Sequence, residues 1–219
     1  MGKQSFWQEK WQNNETMWKG EHVNDVLADF LPTLQEKFGI LSPSEVLVPL
    51  CGDSPAVRML YDAGYLVTGV DCVPEAIEAL IQNSFSEKEF IVQDAVYTAP
   101  GLEFVRGDFF DLNKPERFSF IYDRAGYVAL ALDDRRRYAK TVTKSLRRGG
   151  VFLTRTAELV GTSWNDGPPF SVTFEEVKNA YPDLELVSHE FEDVVPTQSR
   201  FLDAGVTTIR HLTCVMQKP

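Results

Sequence analysis

The stretch EVLVPLCGDSPAVRMLYDAGYLVTGVD, residues 45–71, decides the fold. Val46, Leu47, Val48 and Leu50 form a nearly continuous apolar run, the pattern of a strand buried on both faces of a parallel sheet. The turn Gly52-Asp53-Ser54 suits the cap of a helix whose apolar face is Val57, Leu60 and Tyr61, and Gly64 ends that helix. Residues 65–71 are then a second buried strand that closes on an acid, Asp71. Strand, helix and strand in this order are one unit of a parallel α/β sheet.

The alternation continues in both directions. Pro74 opens a helix through Ala76, Ile77, Leu80 and Ile81. Residues 84–101 blur the pattern and read as a loop or an irregular excursion. Strands are expected at 102–108, 118–125, 151–159, 184–192 and 206–217, and helices at 133–147 and 173–181. On the N-terminal side, residues 22–38 place Val23, Val26, Leu27, Phe30, Leu34 and Phe38 on one helical face. Gly39 is its stop, and Pro32 is expected to break or kink its middle. Residues 1–20 form a polar, aromatic arm. The sum is one doubly wound α/β domain over residues 1–219, with about seven strands, mostly parallel, and an antiparallel final pair at one edge.

Composition narrows the function. Of 219 residues 43% are apolar, enough to offset the ordering entropy of a packed core, so disorder is not the dominant state. The formal net charge is −10, which repels phosphate backbones and argues against nucleic acid as a partner while favouring a small cationic ligand. No apolar run approaches a membrane span, and the N-terminus has no secretory signal, so a cytoplasmic protein without a membrane partner is expected. Cys51, Cys72 and Cys214 are odd in number and widely spaced, and His22, His189 and His211 are scattered. Neither set reads as a disulfide framework or a metal site.

In an open α/β sheet, ligands bind beyond the carboxyl ends of the strands at the switch point, so the residues following each strand carry the chemistry. Leu50-Cys51-Gly52-Asp53-Ser54 follows the first; it is not a Gly-rich phosphate cradle, and a simple tight turn is the alternative. Asp71 follows the second, nineteen residues beyond Gly52, where an acid can accept from both ribose hydroxyls of an adenosine-type ligand or act as a helix cap. Gly107-Asp108-Phe109-Phe110 follows the third and suits an adenine, by a bond to its amine and stacking, or a turn with core phenylalanines. Asp123-Arg124 ends the fourth, where charges are costly unless paired or used. They form a structural ion pair or sit at the reacting centre. Gly167-Pro168-Pro169-Phe170 reads as a stiff loop closing over the same cleft, or as a mere turn. Ribose and adenine contacts with no pyrophosphate cradle and an acidic rim fit a nucleoside bearing a positive charge, and S-adenosyl-L-methionine is the obvious candidate.

At this point a resemblance is legible. FWQEKWQ (6–12), His22-Val23-Asn24, VLVPLCGDS (46–54), GYLVTGVD (64–71), GDFFDL (107–112), YDRAGYVAL (122–130), RRRYAK (135–140) and GPPFSVTFEEV (167–177) run in the order seen in the thiopurine S-methyltransferase family. The chain resembles a bacterial-type member of that branch of the Rossmann-like, S-adenosylmethionine-dependent methyltransferases. The resemblance implies that Trp7 and Trp11 fold over the cofactor, with Trp18 from the same arm. It implies that Leu50 and Gly52 contact its methionine part, Asp71 its ribose, and Asp108 with Phe109 its adenine. Arg124, with Asp123, is implied to sit by the acceptor and the cofactor as the catalytic pair. Departures are Asp71, where the family often has Glu, and Gly126-Tyr127 in place of smaller aliphatic residues, which bears on the acceptor's shape. The segment 84–101 is a further candidate lining of the acceptor pocket. A further pocket arginine falls at either Arg200 or Arg210.

The implied reaction is in-line transfer of the sulfonium methyl to a thiol or similar soft nucleophile on a small molecule, leaving S-adenosyl-L-homocysteine, with no metal. The alternatives are a halide or thiocyanate methyltransferase, a selenium or tellurium methyltransferase, and a non-catalytic S-adenosylmethionine-binding regulator. A nicotinamide-dependent oxidoreductase is disfavoured by the missing Gly-rich turn. The oligomeric state is open, with a monomer favoured, and the N-terminal arm is expected to be mobile before cofactor binds.

Overall fold

A computed structural model describes residues 3–13, 15, 25–162 and 167–219. The apolar run at the centre of the sequence is strand β1 (Glu45–Pro49), with Val46 through Pro49 all buried. It pairs in parallel with β2 (Leu66–Asp71), Val48 opposite Gly69. Between them runs α3 (Pro55–Asp62), capped by the Ser54 side chain, which accepts from the Ala56 N–H at 3.3 Å. Helix α4 (Pro74–Ser84) follows β2 with proline in its first turn, where the missing N–H costs nothing.

The remaining strands are β3 (Ile91–Gln93), β4 (Val96–Ala99), β5 (Leu102–Arg106), β6 (Phe118–Arg124), β7 (Leu146–Val160), β8 (Glu185–Val194) and β9 (Thr208–Gln217). The remaining helices are α1 (Lys3–Gln12), α2 (Asp25–Glu36), α5 (Leu132–Ser145), α6 (Phe174–Ala180) and α7 (Ser199–Asp203). The strands form one nine-stranded sheet in the order β3-β4-β5-β2-β1-β6-β7-β9-β8. The five central strands β5, β2, β1, β6 and β7 are parallel, and β9 enters antiparallel between β7 and β8. The chain moves from β1 outward to β2 and then returns to β6 on the other side of β1, so the switch point lies between β1 and β6.

Both faces are covered. On one, Leu27 and Leu34 of α2, Val57 and Leu60 of α3, and Ile77 and Leu80 of α4 pack on Val46, Val48, Phe120 and Leu153. Helix α2 runs through Pro32 without a break, and Phe30 stacks on Phe120 with ring centroids 6.1 Å apart. Packing of that face outweighs the single lost hydrogen bond. On the other face, Tyr138 and Val142 of α5 and Val177 of α6 pack on Leu47, Ile121 and Phe152.

Two expectations need correction. Residues 84–101 are not irregular: they contain the β3–β4 hairpin, which turns at Asp94 (φ +55°) and pairs antiparallel onto β5. All three residues of β3 are exposed, so no burial pattern marks the hairpin in the sequence. Nor does the hairpin line the end of β6, because β5, β2 and β1 stand between them. Among the described residues no helix is long and apolar enough to cross a membrane.

Candidate active site

At the switch point the end of β1 winds tightly. Leu50 has φ +46° and Gly52 φ +51°, and a non-glycine residue in the left-handed region is uncommon outside turns and ligand clamps. Three bonds hold the turn: Cys51 N–H donates to the Val70 carbonyl (3.0 Å), Ser54 N–H to the Cys51 carbonyl (2.9 Å), and Gly52 N–H to Asp71 Oδ2 (2.9 Å). The other Asp71 oxygen accepts from Val73 N–H at 2.9 Å, fixing the start of α4. Burial raises the Asp71 pKa, and the N–H donors of Val73, Gly52 and Cys72 oppose that rise. Each carboxylate oxygen has two lone pairs, so the bonds to Gly52 and Val73 leave acceptor capacity on the same carboxylate.

The aromatic arm comes to this turn. A side chain at Gly52 would meet the Trp11 ring, whose Cζ2 is 3.3 Å from the position of a Cβ. Gln8 and Gln12 both donate to Glu75 Oε1 in the first turn of α4, at 3.2 and 2.7 Å. Trp7 is half-buried, with the Phe6 ring edge-on at 5.3 Å. Trp18 and His22-Val23-Asn24 lie outside the described residues.

Beyond β5, Asp108 caps a 3-10 turn, its Oδ1 accepting from Phe110 N–H at 2.9 Å. The Phe109 ring turns into the core, 1% exposed, with its centroid 5.0 Å from that of Tyr138. Cys72 lies between the two acids: burial, then Asp71 and Asp108, push its thiol up to about 12.

Strand β6 sends successive side chains to opposite faces, and this separates Asp123 from Arg124. Asp123 is 1% exposed and faces α5. Its Oδ1 accepts from Gly126 N–H at 2.8 Å, and a Cβ at residue 126 would sit 2.6 Å from that oxygen, so this close turn requires glycine. Ala125, inside the turn, has φ +67°. Burial raises the Asp123 pKa to about 6 against the neighbouring Tyr138 hydroxyl and the Gly126 and Tyr127 N–H groups. Arg124 emerges on the other face beside Tyr122, its pKa lowered by burial and by Arg155.

The proline loop covers the edge of β7 where β6 ends. Val172 N–H donates to the Ala157 carbonyl (2.9 Å) and Phe170 N–H to the Val128 carbonyl (2.8 Å). Arg135, 5% exposed, ties this loop to α5: its Nε donates to the Leu130 carbonyl (2.9 Å) and its Nη1 pairs with Glu176. Sequence reasoning passed over Arg135 within the RRRYAK match, and its burial is legible only in three dimensions. Of the two candidate further arginines, Arg210 lies on the sheet face opposite Arg124, bound by both Asp193 oxygens at 2.9 and 3.0 Å. Arg200 lies on α7, with its guanidinium over the Phe201 ring at 4.5 Å. Among the described residues no group of three or more His, Cys, Asp or Glu side chains is placed to hold a metal ion.

The arrangement suits an adenosyl group bearing a sulfonium: a buried carboxylate with spare acceptor capacity, a left-handed turn in tight contact with an indole, and, among the described residues, no Gly-rich phosphate cradle. Solved structures share the architecture. A SAM-dependent methyltransferase from Anabaena variabilis superposes with a TM-score of 0.69 at 15% identity, covering 100% of this chain and 96% of that one. The 1,6-didemethyltoxoflavin-N1-methyltransferase of Burkholderia thailandensis, with 1,6-didemethyltoxoflavin and S-adenosylhomocysteine bound, gives 0.64 at 18% identity over 99% and 87%. The fold shared with these enzymes and the match to a methyltransferase family model over nearly the whole chain together define an S-adenosylmethionine-dependent methyltransferase.

Within that class the chain belongs to the thiopurine S-methyltransferase family, whose sequence model matches residues 2–219. The thiopurine S-methyltransferase of Pseudomonas putida is 32% identical over 210 residues, which cover 94% of each chain.

Proposed function

We propose that the chain transfers the methyl group of S-adenosylmethionine to the sulfur of a small-molecule thiol, in the cytoplasm, with all of residues 1–219 acting as one domain. The observation that carries this reading is the split at the end of β6: Asp123 goes into the core and Arg124 to the open side, one strand from the Gly52 turn.

The cofactor supplies an electrophilic methyl group on a positively charged sulfur. Asp71 takes the ribose hydroxyls, the Asp108–Phe109 segment the adenine edge, and Leu50 with Gly52 the methionine part. Trp7, Trp11 and Trp18 close the arm over it, and Arg124 borders it on the acceptor side. Phe109 acts here through its backbone, since its ring is in the core. Arg124 stabilises the acceptor as a thiolate, an electrostatic role that a water-poor site amplifies. Asp123 is the positioning residue that holds the Ala125–Gly126 turn, and hence the direction of Arg124. Alignment of donor and acceptor supplies the rest, about 7–11 kcal/mol in the best intramolecular cases.

The test is a methyl-transfer assay across thiols, halides, thiocyanate and selenium and tellurium compounds. Thiols are expected to be turned over fastest, and Arg124→Ala is expected to cut their kcat/KM by about 100-fold. Turnover confined to halides or chalcogen compounds, or cofactor binding without turnover of any acceptor, would reject the thiol reading.

A further inference from the structure

Helix α1 has little to hold it by packing. Among its described side chains none is fully buried, and a polar helix of 10 residues is marginal on its own. It presents two neighbouring rows, Trp7 with Trp11 and Gln8 with Gln12, each pair four residues apart and so on one side of the helix. From the first row, the Trp11 ring lies against the Gly52 turn after β1. The second row meets α4, along which α1 lies. Gln8 Nε2 and Gln12 Nε2 both donate to Glu75 Oε1, at 3.2 and 2.7 Å.

Glu75 is placed to hold both. It stands in the first turn of α4, directly after Pro74, where the unpaired N–H groups of the helix favour a negative charge. Burial works to raise its pKa, but the donors Gln12, its own backbone N–H and Gln8 outweigh burial, and the carboxyl lies below its ordinary value. The two glutamine bonds are therefore made to an ion, the stronger kind. The same short segment carries Asp71, whose Oδ1 takes the Val73 N–H. The acid implied to bind ribose and the acid that grips the arm thus flank one turn of chain. Glu75 Oε2, by contrast, is buried with no partner among the described residues. That unserved oxygen offsets part of what the glutamine bonds contribute, so the contact opens at modest cost.

We propose that Glu75 is a positioning residue: through Gln8 and Gln12 it holds the arm closed over the bound cofactor, and the opening of this contact sets how fast S-adenosylhomocysteine leaves. This rests on the cofactor reading given above and is independent of the acceptor. A ligand under a closed arm leaves only when the arm opens, so weakening the latch raises the dissociation rate.

Stopped-flow tryptophan fluorescence measures release of S-adenosylhomocysteine from the wild-type chain, from Glu75→Ala, from the double variant Gln8→Ala/Gln12→Ala, and from the variant combining all three. Each of the first two variants is expected to release it about 10-fold faster, and the combination no faster than either, since all remove one contact. Glu75→Gln keeps an acceptor oxygen without the charge and is expected to fall between them and wild type. Gln8 is half-buried and Gln12 exposed, so the ligand-free double variant is expected to unfold at the wild-type temperature, and it decides the matter if Glu75→Ala does not fold. Unchanged release in the double variant, or effects that add in the combined one, overturns the proposal. A wild-type chain that binds no S-adenosylhomocysteine sinks it together with the cofactor reading, whereas binding with release indifferent to the latch leaves that reading standing.

Discussion

Asp71 and Gly52, nineteen positions apart, meet through one bond: the glycine N–H donates to Asp71 Oδ2 at 2.9 Å. Through its other oxygen Asp71 also holds the Val73 N–H, so one carboxylate joins the turn after β1 to the start of α4. Asp71→Ala strands two donors, and each buried donor left unpaired costs about 1–3 kcal/mol. Stability is therefore expected to fall by several kcal/mol in urea unfolding. S-adenosylhomocysteine affinity is expected to fall more than tenfold by calorimetry. Undiminished affinity in a folded Asp71→Ala protein would remove Asp71 from the ribose site.

Gly52→Ala probes the same place from the other side. At φ +51° a Cβ is strained, by about 1 kcal/mol or more, and here it also meets Trp11. We expect a small loss of thermal stability, a large loss of cofactor affinity, and partial recovery of that affinity when Trp11 is also shortened to leucine. Equal affinity in wild type and Gly52→Ala would mean that the turn does not touch the ligand.

Asp123 gives the protein a stability that depends on pH. Its folded pKa, about 6, lies above the unfolded value of 3.8, so the group favours folding fully below about pH 4. That contribution is lost as pH rises toward 6, since the unfolded chain ionises first. A two-unit gap corresponds to about 3 kcal/mol as an order of magnitude. Asp123→Asn removes the titration, so it is expected to gain stability relative to wild type between pH 4 and pH 6, followed by denaturant midpoints. Parallel pH profiles for the two proteins would contradict this.

Cys51 and Cys214 are buried and Cys72 is half-buried, so alkylation of the native protein should mark Cys72 first. With its thiol pushed up to about 12, the reaction with iodoacetamide is expected to be slow near neutrality and to accelerate about tenfold per pH unit. Added S-adenosylhomocysteine should slow it further, as read by mass mapping. Indifference to the ligand would place Cys72 outside the crevice.

Arg135 links α5 to the loop over β7, and its charge is buried against Glu176. Removing one partner of a buried pair costs about 3–5 kcal/mol, because the other charge is left behind. Glu176 is only partly buried, so Glu176→Gln is expected at the lower end or below, with Arg135→Ala near the upper end. Faster proteolysis at residues 167–172 in either variant would trace the effect to the loop, and equal cleavage rates would deny the link.

The parallel centre of the sheet was legible because its strands are short, lie between turn residues and are buried on both faces, as at Val46-Leu47-Val48 and Val67 to Asp71. The β3–β4 hairpin was not, because Ile91, Val92 and Gln93 are all exposed and leave no burial pattern. Leu50, Gly52 and Asp71 were singled out by their place at strand ends, and the structure joins the last two through the Gly52 N–H and Asp71 Oδ2. What spacing could not tell is direction: adjacent in sequence, Asp123 and Arg124 go to opposite faces, and Phe109 packs on Tyr138. Arg155 carries no local signal, since its neighbour Arg124 lies on another strand.

Strand β9 is synthesised after every other strand of the sheet, yet it lies inside it, with β7 on one side and β8 on the other. On the ribosome, residues 185–194 have no edge to join until the segment 208–217 has left the exit tunnel. The parallel centre of the sheet can therefore pair early, but the β7-β9-β8 side is completed only after that segment emerges, and until then β7 and β8 present open edges.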